Sequence, residues 1–299
     1  LMQYCMLGWL LAMRDSRAVF IFQVVLNSIN IILDILFVQG FGWDVRGVAG
    51  ATVIADYSGV ALGWFLMQPH LKRLGGTWRG IGILDRAQLS KLMKINGDIF
   101  VRTLALTSAF ALFTSFSARF GEVTLAANAV LQNFLMFGSF ALDGFAHAAE
   151  TLVGQAYGAE RRKQFLWAVR KTTIWSIISA VVMAALLAAA GPWIIDGLTS
   201  IPEVRAASYE YLVWAVILPI TGVLGFQFDG VFLGAMQTKQ WRNMMLLSVA
   251  IYGLFAWWAV ETGSNHMLWA AFNAFFLLRG VTLALLFPTI IPDRRKAVG

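Results

Sequence analysis

Charge is scarce in this sequence. Asp, Glu, Lys and Arg make up 13% of its 299 residues, against about 25% in a soluble domain, while 59% are hydrophobic. So few charged side chains cannot cover a water-facing surface, which argues against a soluble enzyme. Cysteine is nearly absent. Cys5 stands alone, which excludes an internal disulfide framework and a cysteine-held metal cluster. The three histidines, His70, His147 and His266, lie far apart, and neither HExxH nor CxxC spacing occurs. A glycine-rich phosphate loop ending in Lys-Ser/Thr is missing as well. These gaps leave no constellation for nucleophilic, zinc or nucleotide chemistry, and no cofactor or metal is expected.

What fills the sequence instead is long apolar runs, with a mean hydropathy of +0.70. Leu1 to Met13 has neither the charged start nor the cleavage site of a signal peptide. It reads as the tail of a span whose beginning is missing, so an N-terminally truncated chain is expected. Eight further runs are long enough to cross about 30 Å of hydrocarbon: Val19 to Val38, Gly47 to Met67, Ile95 to Phe116, Thr124 to Val153, Trp167 to Ile195, Tyr209 to Met236, Met244 to Val260 and Met267 to Ile291. Each must be helical, because an isolated strand in lipid leaves its backbone groups unpaired. The expected fold class is an all-α polytopic membrane protein, with eight complete transmembrane helices plus part of another.

The basic residues sort by alternate ends of these spans. Eighteen of the 23 Lys and Arg gather at one set of ends, only Arg46, Arg119 and Arg205 at the other, and Arg102 and Arg279 fall inside spans. This is the positive-inside distribution, and it places the C-terminus in the cytoplasm. It also accounts for the formal charge of +7 without nucleic acid as a partner. The longest basic connection, loosened by Gly75, Gly76, Gly80 and Gly82, suggests a linker over 71–94 between a first bundle, 1–70, and a second, 95–299. A short echo between GWLLAMRDSR (Gly8 to Arg17) and GAMQTKQWR (Gly234 to Arg242) is compatible with a duplicated architecture.

Carboxylates inside the spans carry the chemistry, since each costs at least about 2.5–3.5 kcal/mol at a helix centre. Asn30 and Asp34 are four apart and share a helix face among Ile and Leu neighbours. Such a pair suits a proton or ion site; it equally suits a protonated Asp that ties helices together. In the fourth full span Asn128, Gln132, Ser139, Asp143, His147 and Glu150 form a polar stripe. The stripe reads as a cavity wall, with a helix–helix hydrogen-bond seam as the alternative. His147 is expected to partner Asp143 one turn away. Asp98 and Arg102, also four apart, read as a local ion pair or a substrate contact. Asp229 stands between aromatics and glycines in GFQFDGVFLGA, which suits a lipophilic cation or a small-residue interface.

Three stretches together resemble one family. NIILDILFVQGFGWDVRGVAGATVIADYSG (Asn30 to Gly59), INGDIFVRTLAL (Ile95 to Leu106) and AANAVLQNFLMFGSFALDGFAHAAETLVGQAYGAERRK (Ala126 to Lys163) look like the fifth to eighth spans of the MATE (multidrug and toxic compound extrusion) transporters, in their DinF-like branch. The resemblance implies a twelve-helix fold in two six-helix lobes around a central cavity. The chain would then hold the end of span four, spans five and six, and the whole second lobe. It also implies a monomeric antiporter of the bacterial inner membrane, exchanging protons, or sodium ions, for amphipathic and often cationic small molecules. Asn30, Asp34 and Thr52 occupy the places of the family's N-lobe coupling site, whose first-span Asp is outside this chain. Asp98, Asn128, Gln132, Asp143, Glu150 and Asp229 remain as candidates for a substrate cavity. Two other readings compete. A lipid-linked oligosaccharide flippase would need a cavity rich in Arg and Lys, whereas two intramembrane bases here face several acids. A structural membrane protein without transport is opposed by the polar stripe.

Overall fold

Lipid offers a peptide group no partner, so every span must satisfy its own backbone, and the structure does this with helices. The computed structural model describes residues 2–13, 15–75 and 85–292. It divides into two units, Leu1–Ile83 and Leu84–Gly299. The first unit holds α1 (Met2–Ala12), α2 (Ser16–Asp34), a π-helical turn (Ile35–Gly40) and α3 (Asp44–Leu74). The second holds α4 (Arg86–Ser117), α5 (Glu122–Gly158), α6 (Arg162–Leu198), α7 (Pro202–Gly234), α8 (Thr238–Glu261) and α9 (Asn265–Leu286). Eight of these helices, all but α1, are long and apolar enough to span a membrane, and no strand occurs among the described residues.

Several helices outrun the apolar segments read from the sequence. α3 continues to Leu74 and α4 begins at Arg86, so both ends of the 71–94 stretch are helical. The extension of α4 has a local cause. The Asp85 carboxylate accepts the Ala87 N–H at 2.8 Å, a cap that opens a run of good helix formers, RAQLSKLMK. α3 stops where Gly75 turns left-handed, φ 62°. The centre of the expected linker, 76–84, lies outside the described residues, as do Arg14, Arg79, Arg294, Arg295 and Lys296 from the charge pattern.

In the first unit Asp15 sets the start of α2. Its carboxylate accepts the Ala18 N–H at 2.9 Å and meets His70 Nε2 of α3 at 2.8 Å. The Ala18 bond first, and then His70, hold the Asp15 carboxyl below its usual value. Where α1 and α2 meet α3, glycine admits bulkier neighbours: a Cβ on Gly63 would lie 2.8 Å from Met6 Sδ of α1 and 3.1 Å from the Phe22 ring of α2.

The second unit is an up-and-down bundle with short turns, so alternate helices run parallel. α5 and α7 are the closest such pair, because glycine removes the side chains between them. A Cβ on Gly230 would sit 2.0 Å from the Ala146 carbonyl oxygen, and one on Gly234 would sit 2.5 Å from that of Glu150. Around this seam the core is largely aromatic, with Phe113, Trp269, Phe272, Phe275 and Phe276 all buried. The α6–α7 turn is closed by Arg205, which donates to the Thr199 and Asp196 carbonyls at 2.7 and 2.8 Å. That bond satisfies the open C-terminal end of α6.

Gly230→Ala therefore drives a methyl group into backbone, which cannot move aside as a side chain can. Overpacking of this kind costs about 1–3 kcal/mol. Thermal unfolding of the purified protein should show a clear loss for Gly230→Ala. Gly253→Ala, where a Cβ meets nothing within 4 Å, should leave the transition in place.

Candidate functional site

Both units carry carboxylates in their spans, and they treat them in opposite ways. In the first unit Asp34 is the last α-helical residue of α2, immediately before the π turn. One of its oxygens, Oδ1, is buried and accepts no hydrogen bond. One turn earlier Asn30 Nδ2 lies 3.5 Å from Thr52 Oγ1. The Thr52 hydroxyl spends its own proton on the Val48 carbonyl, at 2.9 Å, so its oxygen faces Asn30 as an acceptor. The three residues assigned to coupling thus lie on neighbouring faces of α2 and α3, with a loose amide–hydroxyl contact beside an undersupplied carboxyl. Asp56, one turn beyond Thr52, accepts from Gln3 Nε2 at 3.1 Å.

In the second unit the acids are oversupplied. Asp229 on α7 receives three donors from three other helices. Arg102 of α4 and Arg279 of α9 both bond to its Oδ2, the latter at 2.7 Å, and the Trp241 indole N–H of α8 bonds to Oδ1 at 2.7 Å. Arg102 also lies over the Trp241 ring, 4.5 Å from its centroid. Arg279 is 1% exposed and stacks near Phe226 and Phe276, 5.0 and 5.6 Å from their centroids. Room for that guanidinium comes from Gly225, whose Cβ would fall 3.1 Å from Arg279 Nε.

The ion pair expected between Asp98 and Arg102 does not form. Spacing of four allows such a pair but does not compel it, and each residue finds a stronger partner across the bundle. Asp98 is bound by Arg242 at 2.5 Å and by the Thr238 hydroxyl at 2.7 Å, while Arg102 goes to Asp229. Asp229, read from its aromatic and glycine neighbours as suiting a lipophilic cation or a small-residue interface, is the centre of an ionic cluster. His147 meets Glu150 at 3.4 Å rather than bonding to Asp143.

A cavity of about 460 Å³ opens beside this cluster, walled by α4, α5, α7 and α9. Its polar lining includes Arg102, Gln132, Ser139, Asp143, Asp229 and Arg279. The stripe on α5 is therefore divided along its length. Gln132, Ser139 and Asp143 reach the cavity, whereas Asn128, Glu150 and Asp98 do not line it. Asn128 is buried in a hydrogen-bond seam: its amide donates to Ser117 Oγ and Asn265 Oδ1, both at 2.8 Å, and its oxygen accepts from Asn265 Nδ2 and Trp269 Nε1. Both donors and the acceptor are spent, so this end of the stripe fastens helices. Of the two arginines of the cavity wall, Arg102 entered the sequence reading only as the companion of Asp98, and Arg279 only as a base inside a span. Their position inside spans was the available signal, since a membrane-embedded base needs a partner as much as an acid does.

Among the described residues no group of His, Cys, Asp and Glu is disposed to hold a metal ion. The first unit offers an undersupplied carboxyl; the second, by itself, offers a charged, aromatic-walled cavity.

Comparison with known proteins is consistent with this architecture. The MatE family model matches residues 99–258, more than half of the chain. The chain is 38% identical over 282 residues to the DNA damage-inducible protein F of Escherichia coli K12, a match that takes in 94% of this chain and 61% of that protein. The chain thus spans about three-fifths of the length of this relative. Among solved structures, a Vibrio cholerae MATE transporter superposes with a TM-score of 0.86 at 19% identity, over 96% of this chain and 65% of the other. An outward-facing multidrug resistance MATE family transporter of the MOP superfamily gives 0.85 at 17%, over the same shares.

Removing the Asp229 carboxylate strands two guanidiniums, one of them fully buried. Breaking a buried pair from one side costs about 3–5 kcal/mol. Asp229→Ala should accordingly lower thermal stability far more than Asp98→Ala, whose partner Arg242 keeps 28% of its side chain exposed. Melting curves of the two purified variants beside the parent would check this order.

Proposed function

We propose, from the premise that this multi-pass membrane chain belongs to the MatE family, that the protein is a secondary antiporter. It exports amphipathic small molecules, cationic ones among them, in exchange for protons. The observation that carries the proposal is Asp34, a carboxyl with a buried, unpartnered oxygen beside the Asn30–Thr52 contact. An oxygen buried without a donor is an open requirement in a span, and it lies one turn from two groups that can rearrange. The family, whose solved members are described as transporters, supplies no enzymatic reaction to set against this reading.

In the proposed cycle a proton bound at Asp34 turns an acceptor-only carboxylate into a donor. The adjacent amide and hydroxyl then reorganise: Asn30 can turn its oxygen to the new O–H, and its 3.5 Å contact with Thr52 is loose enough to give way. The π turn that follows Asp34 carries the change along α2. Proton and cargo thus draw on one conformational equilibrium, so each weakens the other's binding by the same factor. The second-unit cavity is the proposed cargo site. Its charged lining is balanced, two arginines against two aspartates, which disfavours a lipid-linked oligosaccharide flippase with its need for a net basic wall. The charge pattern supports a bacterial inner-membrane setting, with the basic ends and the C-terminus in the cytoplasm.

The test is transport by the full-length protein in liposomes under an imposed pH gradient, followed with a fluorescent lipophilic cation. Wild type should move the dye, and Asp34→Asn should abolish gradient-driven movement while still folding. Undiminished transport by Asp34→Asn would remove Asp34 from coupling. Movement driven by a sodium gradient and indifferent to pH would reassign the ion.

A further inference from the structure

The cavity beside Asp229 is more specific than a general cation pocket. Each guanidinium has five N–H donors, and Arg102 and Arg279 together offer ten. Among the described residues two of the ten are used, both on the same oxygen, Asp229 Oδ2. The Nε of each arginine is buried without a partner. One carboxylate cannot neutralise two guanidiniums, so the triad keeps an excess positive charge, and it does so in a wall where Arg279 is almost wholly buried. An uncompensated charge there is costly unless something else completes it.

The negative counterpart stands on another helix. Asp143, on α5, lines the same cavity and bonds to neither arginine. His147 one turn away is taken by Glu150. The wall therefore carries both signs: positive charge where α4 and α9 meet Asp229, and on α5 a carboxylate that bonds to neither arginine but feels their charge and that of His147. Phe110, Phe226 and Phe276 supply apolar surface in the same lining. The glycine at 225, which leaves space for the Arg279 guanidinium, indicates that the arginine pair is built into the packing.

We propose that this cavity binds a zwitterionic amphipath, with a carboxylate on the Arg102–Arg279 pair, a cationic nitrogen at Asp143 and an aromatic body between them. The inference deepens the transport reading by naming the cargo's chemistry, and it rests on that reading only in calling the occupant cargo. Asp229 acts as a positioning residue: it touches no ligand but holds both forks in place. The fork geometry matters, because a guanidinium meets a carboxylate through two parallel hydrogen bonds and an ammonium does not.

A matched dye pair tests it. Rhodamine 110 carries a free carboxylate and a delocalised cation; rhodamine 123 is its methyl ester and keeps only the cation. Fluorescence anisotropy with the full-length protein in lipid nanodiscs, corrected with empty nanodiscs, measures both affinities without any ion gradient. Rhodamine 110 should bind about tenfold more tightly or better, the scale of one charge-assisted contact. Arg102→Gln and Arg279→Gln should each bring the two dyes towards equal affinity, while Asp143→Asn should weaken both. Arg102→Lys, which keeps the charge and loses the fork, should fall between, and it keeps the test decisive if Arg279→Gln does not fold. Equal binding of the two dyes by wild type would overturn the proposal, as would a preference that survives both glutamine substitutions. A protein that binds as expected yet moves no dye under a gradient would fail the transport reading and leave this subsite standing.

Discussion

A charge inside a membrane helix has no water to turn to, and the second unit is organised around how that demand is met at Asp229. Four helices converge on this carboxylate: α7 carries it, α4 and α9 bring arginines, and α8 brings an indole N–H. The surrounding choices follow from the convergence. Position 225 is glycine where the guanidinium of Arg279 passes, and Trp241 lies under Arg102. The rings of Phe226 and Phe276 take part of the remaining positive charge on their faces. α5 joins the arrangement differently, through backbone contact with α7 that only glycine permits. The cavity is what remains between elements pinned by charge on one side and by close approach on the other.

Asp34 and Asp229 show how one residue type serves two ends. Asp229 accepts three donors, two of them cationic. Asp34 has a buried oxygen that nothing satisfies, and the contact one turn earlier joins a neutral amide to a hydroxyl whose own proton is committed elsewhere. A carboxylate in the first setting stabilises a structure. In the second it leaves an unmet requirement.

The spans were legible because twenty apolar residues in a row have few other uses, and the alternation of basic ends tested each boundary against its neighbours. Helix ends were less legible. Arg86 to Lys94 is polar enough to read as a connection, yet a capping aspartate and residues of high helical propensity keep it helical outside the apolar zone. Spacing misled for Asp98 and Arg102, since their partners lie more than a hundred residues away and local proximity cannot outbid a better geometry across the bundle. The stripe on α5 was visible, but its single character was not real. Asn128 and Glu150 are separated by about 33 Å of helix at 1.5 Å per residue. One face over that length passes a buried seam, a cavity and then an exposed turn. Sequence gives the face; only packing says what the face meets.

The turn after Asp34 has a further consequence. Ile35 to Gly40 is wound as a π-helix, which holds an extra residue compared with an α-helix of the same rise. Such a surplus behaves like a dislocation in a crystal row: it travels by exchanging one hydrogen bond at a time, and each residue it passes is rotated by about 100°. Moving it towards the N-terminus of α2 would swing Asp34 from one neighbour to another without melting the helix. The chain thus carries, beside a carboxyl with a buried unpartnered oxygen, a defect able to re-aim it.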